Sequence, residues 1–157
     1  MSVSVRPLEA DDRARWEVLW NGYLQFYEQT LSEETTEGLW ARLLNPDGSV
    51  DGFAAIDGDG QLIGITHFFL HPSSWTGGSY CYLEDLFVDP DRRGSGAGRA
   101  LIDAVDREAR RRGAYRLYLI TNEDNATARA LYDRLLEREP IVQYARELKP
   151  LSDEVAP

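Results

Sequence analysis

Residues 82–99 read YLEDLFVDPDRRGSGAGR. The first part is rich in aromatic and branched residues, which predicts a strand over 80–88 that Asp89 and Pro90 end. A glycine-rich turn follows at 93–98, and the apolar residues after it recur at helical spacing. Glycines let backbone N–H groups approach a ligand closely, and a helix N-terminus attracts anions. The segment therefore predicts a phosphate-binding turn, although a tight connection alone also uses such glycines.

Strand and helix patterns continue on both sides of this segment. In chain order they predict a strand at 3–5, helices at 16–27 and 32–44, a hairpin of strands 53–56 and 62–70, the strand at 80–88, a helix at 101–109, a strand at 117–120, a helix at 126–136 and a last strand at 141–148. This order implies an α/β or α+β sandwich with a mixed sheet. A chain of 157 residues suits one domain, and we predict a single domain over 1–149 with a tail at 150–157.

The composition excludes several classes of function. A net charge of −10 argues against a sequence-independent nucleic-acid binder. Because Cys81 is the single cysteine, an intramolecular disulfide and a cysteine-based metal cluster are excluded, and with only His67 and His71 we expect no histidine metal site. Acids stand near the N-terminus where a signal peptide has an apolar segment, and the most apolar window is too short to span a bilayer. We therefore expect a cytoplasmic protein that binds neither membranes nor nucleic acid.

The sequence of the glycine turn fits one known phosphate-binding motif and fails two others. A P-loop needs a lysine after its last glycine, which is absent here, and the dinucleotide-binding pattern G-x-G-x-x-G/A fails at its last position. What remains is R-x-x-G-x-G, filled by Arg93, Gly96 and Gly98. This pattern resembles the acetyl-CoA pyrophosphate loop of the GNAT N-acetyltransferase family.

The resemblance covers nearly the whole chain. Residues 82–88 resemble the strand that precedes this loop in diamine acetyltransferases, and 121–132 resemble the next segment of the family. The runs 19–27, 68–75 and 141–146 resemble yeast Hpa-type acetyltransferases. The chain departs from the family after the fourth helix, where Leu136 to Pro140 replace the usual Gly-Phe. Glu84 also stands where the Hpa-type strand often has Asn.

The resemblance implies a fold, a cosubstrate and a binding site. The fold would be a mixed, mostly antiparallel central sheet flanked by helices on both faces, and the cosubstrate would be acetyl-CoA. By the same resemblance, the backbone of 86–88 would hold the pantetheine arm as an added strand, and one N–H there would polarise the thioester carbonyl. The cofactor-binding residues would be Leu86, Phe87, Val88, Arg93, Gly94, Ser95, Gly96, Ala97, Gly98, Arg99 and Asn125.

The chemistry of amine acetylation points to particular side chains. An alkylammonium, with a pKa of about 10.4, must lose a proton before it attacks, and Glu84 is the first candidate to accept it, directly or through water. Strict strand alternation sends Glu84 and Asp85 to opposite faces, although a bulge would change this register. Since only one of the two should face the amine, we predict that Asp85 binds the substrate together with Tyr27, and the alternative is that it holds a neighbouring element. The resemblance makes Tyr132 the acid that protonates the leaving thiolate. The alternative for the carboxylates is that they are simply solvated, and the alternative for Tyr132 is that it is an aromatic residue of the core.

The distribution of charge bears on the acceptor. Residues 1–91 carry a net charge of −12 and residues 92–157 carry +2, which suits an anionic cofactor and a cationic acceptor. We predict acetyl transfer to a primary amine of a small cationic or amino-acid-like molecule, by direct attack in a ternary complex. A protein lysine or N-terminus is the alternative acceptor, and a CoA-binding regulator without turnover is the third hypothesis. Hpa-type relatives form dimers or larger assemblies, and the last strand would be an exposed edge of the sheet. We therefore also expect a homodimer.

Overall fold

The computed structural model describes residues 2–149. It contains five strands and four helices, with short 3-10 turns at Ala10–Asp12 and Pro90–Arg92. The strands are β1 (Ser4–Pro7), β2 (Asp51–Ile56), β3 (Leu62–Pro72), β4 (Ser79–Val88) and β5 (Ala114–Leu119). The helices are α1 (Arg13–Phe26), α2 (Glu33–Leu44), α3 (Ala97–Arg111) and α4 (Ala126–Leu135). Within the described residues, no helix combines the length and the apolar character that a membrane crossing needs.

The five strands form one sheet in sequence order, β1-β2-β3-β4-β5. The first three pairings are antiparallel and the β4–β5 pairing is parallel, so α3 crosses over between two parallel neighbours. The β2–β3 hairpin closes where Asp57 Oδ1 accepts hydrogen bonds from the backbone N–H groups of Asp59 and Gln61. The predicted mixed, mostly antiparallel sheet is therefore confirmed.

Helices cover both faces of the sheet, each over its own core cluster. On one face, α1 and α2 bury three tryptophans against β2 and β3, namely Trp16, Trp20 and Trp40. On the other face, α3 places Ile102 and Val105 against Phe68 of β3 and the fully buried Cys81 of β4. The sheet is therefore the middle of three layers.

A bulge in β4 corrects the predicted alternation of side chains. His67 pairs with Asp85, whereas Phe68 pairs with Leu83, so Glu84 is an extra residue in β4. Before the bulge, Leu83 faces α3; after it, Asp85 contacts His67 on the α1 face. An extra residue shifts the side-chain register by one position, so Asp85 no longer shares a face with Leu83. Strict alternation through β4 therefore fails at Glu84, and the bulge that was raised as the alternative is present.

The predicted last strand at 141–148 is absent. Residues 137–149 form neither helix nor strand, and Ile141 and Tyr144 are 74% and 93% exposed. Apolar alternation predicts a strand only where a neighbouring strand can accept its hydrogen bonds, and the sheet of the described chain ends at β5. The predicted tail at 150–157 lies outside the described residues.

Candidate active site

A cleft of about 990 Å³ opens beside the C-terminal half of β4. Its walls come from β4, the loop that follows it, the end of α1 and the first turns of α4. All eleven predicted cofactor-binding residues line it, together with Tyr27 and Tyr132. The glycine turn, the strand before it and the later helix therefore meet around one space, as their proposed common ligand would require.

The cleft exists because β4 and β5 separate. The parallel pairing runs from Ser79 only to Leu83, which lies opposite Leu119. Beyond that point Leu86 pairs with Thr66 of β3, so residues 86–88 have no β5 partner on the cleft side. Backbone groups on such an edge are available to an extended ligand that adds like a strand.

The loop between β4 and α3 has the features of a pyrophosphate cradle. Gly94 and Gly96 have φ values of 78° and 87°, which favour glycine, and Gly96 is the N-cap of α3 without a side-chain cap. Because no side chain of Gly96 caps the helix, the backbone N–H groups of its first turn are largely free. The N-terminus of α3 can therefore offer them to an anion. Arg93 and Arg99 line the same cleft and add positive charge. The donor set fits the anionic end of acetyl-CoA.

We predict that Gly96→Ala weakens acetyl-CoA binding by at least about tenfold. A non-glycine residue in the left-handed region costs about 1–3 kcal/mol, and relief of that strain would move the N–H groups of the loop. Gly58→Ala is the matched control, because an added Cβ meets nothing within 4 Å at either glycine and only Gly96 has a positive φ. Calorimetric titration with acetyl-CoA measures the difference. Equal affinities of the two variants would contradict the role of the loop.

Asn125, the N-cap of α4, and Tyr132, within α4, both line the cleft. The Asn125 side chain caps this helix by accepting a hydrogen bond from the Ala128 N–H at 3.4 Å, and its amide donates to Thr121 Oγ1 at 3.2 Å. Asn125 therefore has a structural role in addition to the cofactor role predicted for it. Burial raises the pKa of Tyr132 to about 12, so its hydroxyl stays protonated throughout the physiological range.

The two predicted carboxylates lie next to the cleft rather than along its wall. Glu84 and Asp85 immediately precede the lining residue Leu86. Glu84, the bulge residue, is exposed, and Asp85 keeps 13% of its side chain accessible. Partial desolvation raises the pKa of Glu84 above its usual range, and the neighbouring charge of Asp85 raises it further. A carboxylate with a raised pKa is a stronger proton acceptor.

Sequence reasoning missed two residues that connect with these carboxylates. His67, on β3, is fully buried and hydrogen-bonded to Asp85 at 2.9 Å. Tyr23, on α1, lines the cleft and stacks on Trp20. The spacing over 16–27 predicts a helix but no role for Tyr23, and His67 stands out only as one of two histidines, too few for a metal site. A polar ring within an otherwise apolar strand was the available signal for His67.

Comparisons with known proteins agree with this geometry. The Acetyltransferase (GNAT) family model matches residues 13–136. The D-amino-acid N-acetyltransferase HPA3 of Saccharomyces cerevisiae is 30% identical over 145 residues, which are 92% of this chain and 90% of that protein. The thialysine N-epsilon-acetyltransferase of Caenorhabditis elegans is 35% identical over 54% of this chain and 52% of its own length. The crystal structure of a ribosomal-protein-alanine N-acetyltransferase from Brucella melitensis biovar Abortus 2308 superposes with a TM-score of 0.78 at 24% identity, covering 94% of this chain and all of that one.

Proposed function

The chain belongs to the GNAT acetyltransferase family, whose members use acetyl-CoA, and from that premise we propose that it acetylates a primary amine of a small cationic or amino-acid-like molecule. The transfer is direct, within a ternary complex of enzyme, acetyl-CoA and amine. The observation that carries the proposal is the composition of the cleft beside β4. It combines an anion-binding loop, a free strand edge and a protonated tyrosine, with two carboxylates beside it.

The loop and the strand edge are proposed to hold acetyl-CoA, which supplies an activated acetyl group on a thiolate leaving group. Arg93, Arg99 and the N–H groups of 94–98 bind the phosphates. The backbone of Leu86, Phe87 and Val88 binds the pantetheine arm as an added strand, on the side of β4 that β5 leaves free. One N–H of this edge stabilises the negative charge that develops on the thioester oxygen, as an oxyanion hole does.

Glu84 is proposed to take the proton from the amine, directly or through water. Its exposure keeps water beside it, and its raised pKa strengthens it as a base. Tyr132 is proposed to donate a proton to the departing thiolate. This role is compatible with its pKa of about 12, because the donor is then fully protonated at neutral pH.

The acceptor class is proposed from charge and from the relatives. Tyr27, in the cleft, and Asp85, beside it, are proposed to bind the amine, and Glu28 adds negative charge to the lining of the cleft. HPA3 and the thialysine acetyltransferase act on small amines that carry a carboxylate or a second charge, by their names. The bacterial neighbour at 24% identity supports the fold only. A cytoplasmic location belongs to the same proposal, since the reaction consumes acetyl-CoA.

The test is CoA release with a panel of amines. The panel contains polyamines, L- and D-amino acids, thialysine, aminoglycosides and histone-tail peptides, each at the same concentration with saturating acetyl-CoA. We expect the highest kcat/KM for one of the small amines. A preference for the peptides would replace the proposed acceptor with a protein. Tight acetyl-CoA binding without turnover of any amine would contradict the enzyme and favour a CoA-binding regulator.

We also propose a homodimer built on the segment after α4. The backbone of 141–148 is exposed along with the apolar side chains of Ile141, Val142, Tyr144 and Leu148, and Tyr115 on the edge strand β5 is 75% exposed. The Arg116–Glu139 ion pair holds the start of this segment beside β5. An apolar extended segment and an open sheet edge in the same region can satisfy each other between two copies.

In light scattering we expect the wild-type chain to have the mass of a dimer and Ile141→Ser/Tyr144→Ser to have the mass of a monomer. Removal of two exposed apolar side chains from the contact surface weakens association without opening the core. Val18→Ser is the control, because Val18 is an exposed apolar residue on α1 and does not belong to this segment. A monomeric wild type at high concentration would contradict the dimer.

A further inference from the structure

Two buried polar side chains of β3, Thr66 and His67, contact the bulge of β4. Both are fully buried. The Thr66 hydroxyl donates to the backbone carbonyl of Asp85 at 2.7 Å, and His67 Nδ1 lies 2.9 Å from Asp85 Oδ2. Asp85 is therefore bound through its backbone and through its side chain, directly after Glu84, the extra residue of the bulge.

The two contacts reach Asp85 from opposite faces of the sheet. His67 lies on the α1 side, where its ring centroid is 5.1 Å from that of Trp20. Because successive side chains of a strand point to opposite faces, Thr66 lies on the α3 side, as Phe68 does. Asp85 therefore cannot turn towards either face without breaking one of the two hydrogen bonds.

The partners of His67 determine which ring nitrogen donates. Trp16 Nε1 is 3.0 Å from His67 Nε2, and a tryptophan Nε1 can only donate, so Nε2 accepts and carries no proton. The proton of the neutral ring is then on Nδ1, which donates it to Asp85 Oδ2. Because Trp16 is a fully buried residue of α1, the same contacts connect the bulge with the helix whose C-terminal end lines the cleft.

A bulge depends on side-chain contacts of this kind more than a regular strand does. Its extra residue interrupts the hydrogen bonds between the two backbones and bends the strand. A carbonyl or carboxylate that loses its donor inside the protein is left desolvated and unpaired, which is unfavourable. Loss of the Thr66 hydroxyl or of the His67 donor therefore favours a shift of Asp85, and the adjacent Glu84 shifts with it.

We propose that Thr66 and His67 are positioning residues that hold the bulge of β4 and thereby set the position of Glu84, the proposed base. The inference rests on the proposed function and extends it to two residues that do not line the cleft. Glu84 is exposed and stands two positions before the lining residue Leu86, so a small shift of the bulge changes the distance over which the proton moves. A misplacement of about 1 Å can cost about 10²-fold in rate.

Steady-state kinetics with conservative variants test this role. Thr66→Val keeps the shape of the buried side chain and removes the donor. We expect it to lower kcat with the best amine of the panel about 10- to 100-fold, while the KM for acetyl-CoA changes less than threefold. Thr66→Ser should restore most of kcat, because it returns the hydroxyl. Thr36→Val is the matched control, since Thr36 is a buried threonine of α2 outside the bulge.

The same substitutions in Glu84→Gln show whether their effect passes through Glu84. Once the base is absent, Thr66→Val should lower kcat less than twofold further, because residues that act as a unit are not additive. His67→Asn, whose amide keeps an N–H donor near the position of Nδ1, should retain more kcat than His67→Leu. Wild-type kcat in Thr66→Val, or a tenfold fall in kcat that persists in the Glu84→Gln background, would overturn the positioning role.

Hydrogen–deuterium exchange measures the hold on the bulge without turnover. We expect the backbone amides of 83–87 to exchange at least about tenfold faster in Thr66→Val than in the wild type or in Thr36→Val, with normal exchange restored in Thr66→Ser. Equal exchange in a folded Thr66→Val would overturn the inference, whatever the kinetics show. A wild type that acetylates no amine would instead contradict the proposed function, and the exchange measurement does not depend on that result.

Discussion

Glu84→Gln lowers kcat by about 10²- to 10⁴-fold if Glu84 is the base that we propose, since this is the usual contribution of general acid–base catalysis. The amide keeps the size of the side chain but cannot accept the proton of the ammonium. Because Glu84 is exposed, the substitution leaves the core intact. The measurement is kcat at saturating amine and acetyl-CoA.

The pH profile of kcat tests the same role of Glu84, because it has an expected direction. Glu84 must be ionised to accept a proton, so kcat falls as the pH decreases through its pKa. Desolvation and the charge of Asp85 raise the pKa of Glu84, so the acid limb lies above the usual glutamate value of about 4.3. Glu84→Gln should remove this limb. Glu34→Gln, on the exposed start of α2, is the control. A Glu84→Gln enzyme with wild-type kcat and an unchanged limb would exclude Glu84 as the base.

The second large effect is expected from Tyr132→Phe. Loss of the phenol proton should lower kcat by about 10²- to 10⁴-fold, because the thiolate then departs without a donor. The ring and its packing against the core cluster under α3 remain, so we expect the unfolding midpoint to change little. With a pKa of about 12 for Tyr132, its own ionisation causes no loss of kcat up to about pH 10.

Tyr115→Phe is the control for Tyr132→Phe, because Tyr115 is an exposed tyrosine of β5 outside the cleft. Circular dichroism and acetyl-CoA affinity confirm that both variants fold and bind. If Tyr132→Phe retained full turnover, the hydroxyl would have no part in the reaction, and the residue would be a core aromatic, the alternative raised by its sequence context.

The features that the sequence predicts correctly depend on interactions within a few residues of the chain. Gly94 and Gly96 were recognised because positive φ values select glycine within a short segment, whatever the rest of the chain does. The amphipathic helices and the β2–β3 hairpin likewise depend on spacing and turn chemistry within a few residues. These elements put the loop, the strand and α4 around one cleft, so the predicted cofactor residues came together.

Non-local contacts explain what the sequence could not predict. The bulge at Glu84 depends on how β4 pairs with β3, and no residue type marks it. The absent strand at 141–148 lacks a partner, and a partner cannot be read from the segment itself. The link between His67 and Trp16 joins residues 51 positions apart, so only the packed structure brings them together.

The most direct test of a direct transfer is an initial-velocity study in which acetyl-CoA and the best amine are varied together. If the amine attacks while acetyl-CoA is bound in the cleft, double-reciprocal plots intersect, and intact-mass measurements without amine show no acetylated protein. Parallel lines together with an acetylated enzyme would mean that a side chain carries the acetyl group in a ping-pong reaction, and would contradict the account.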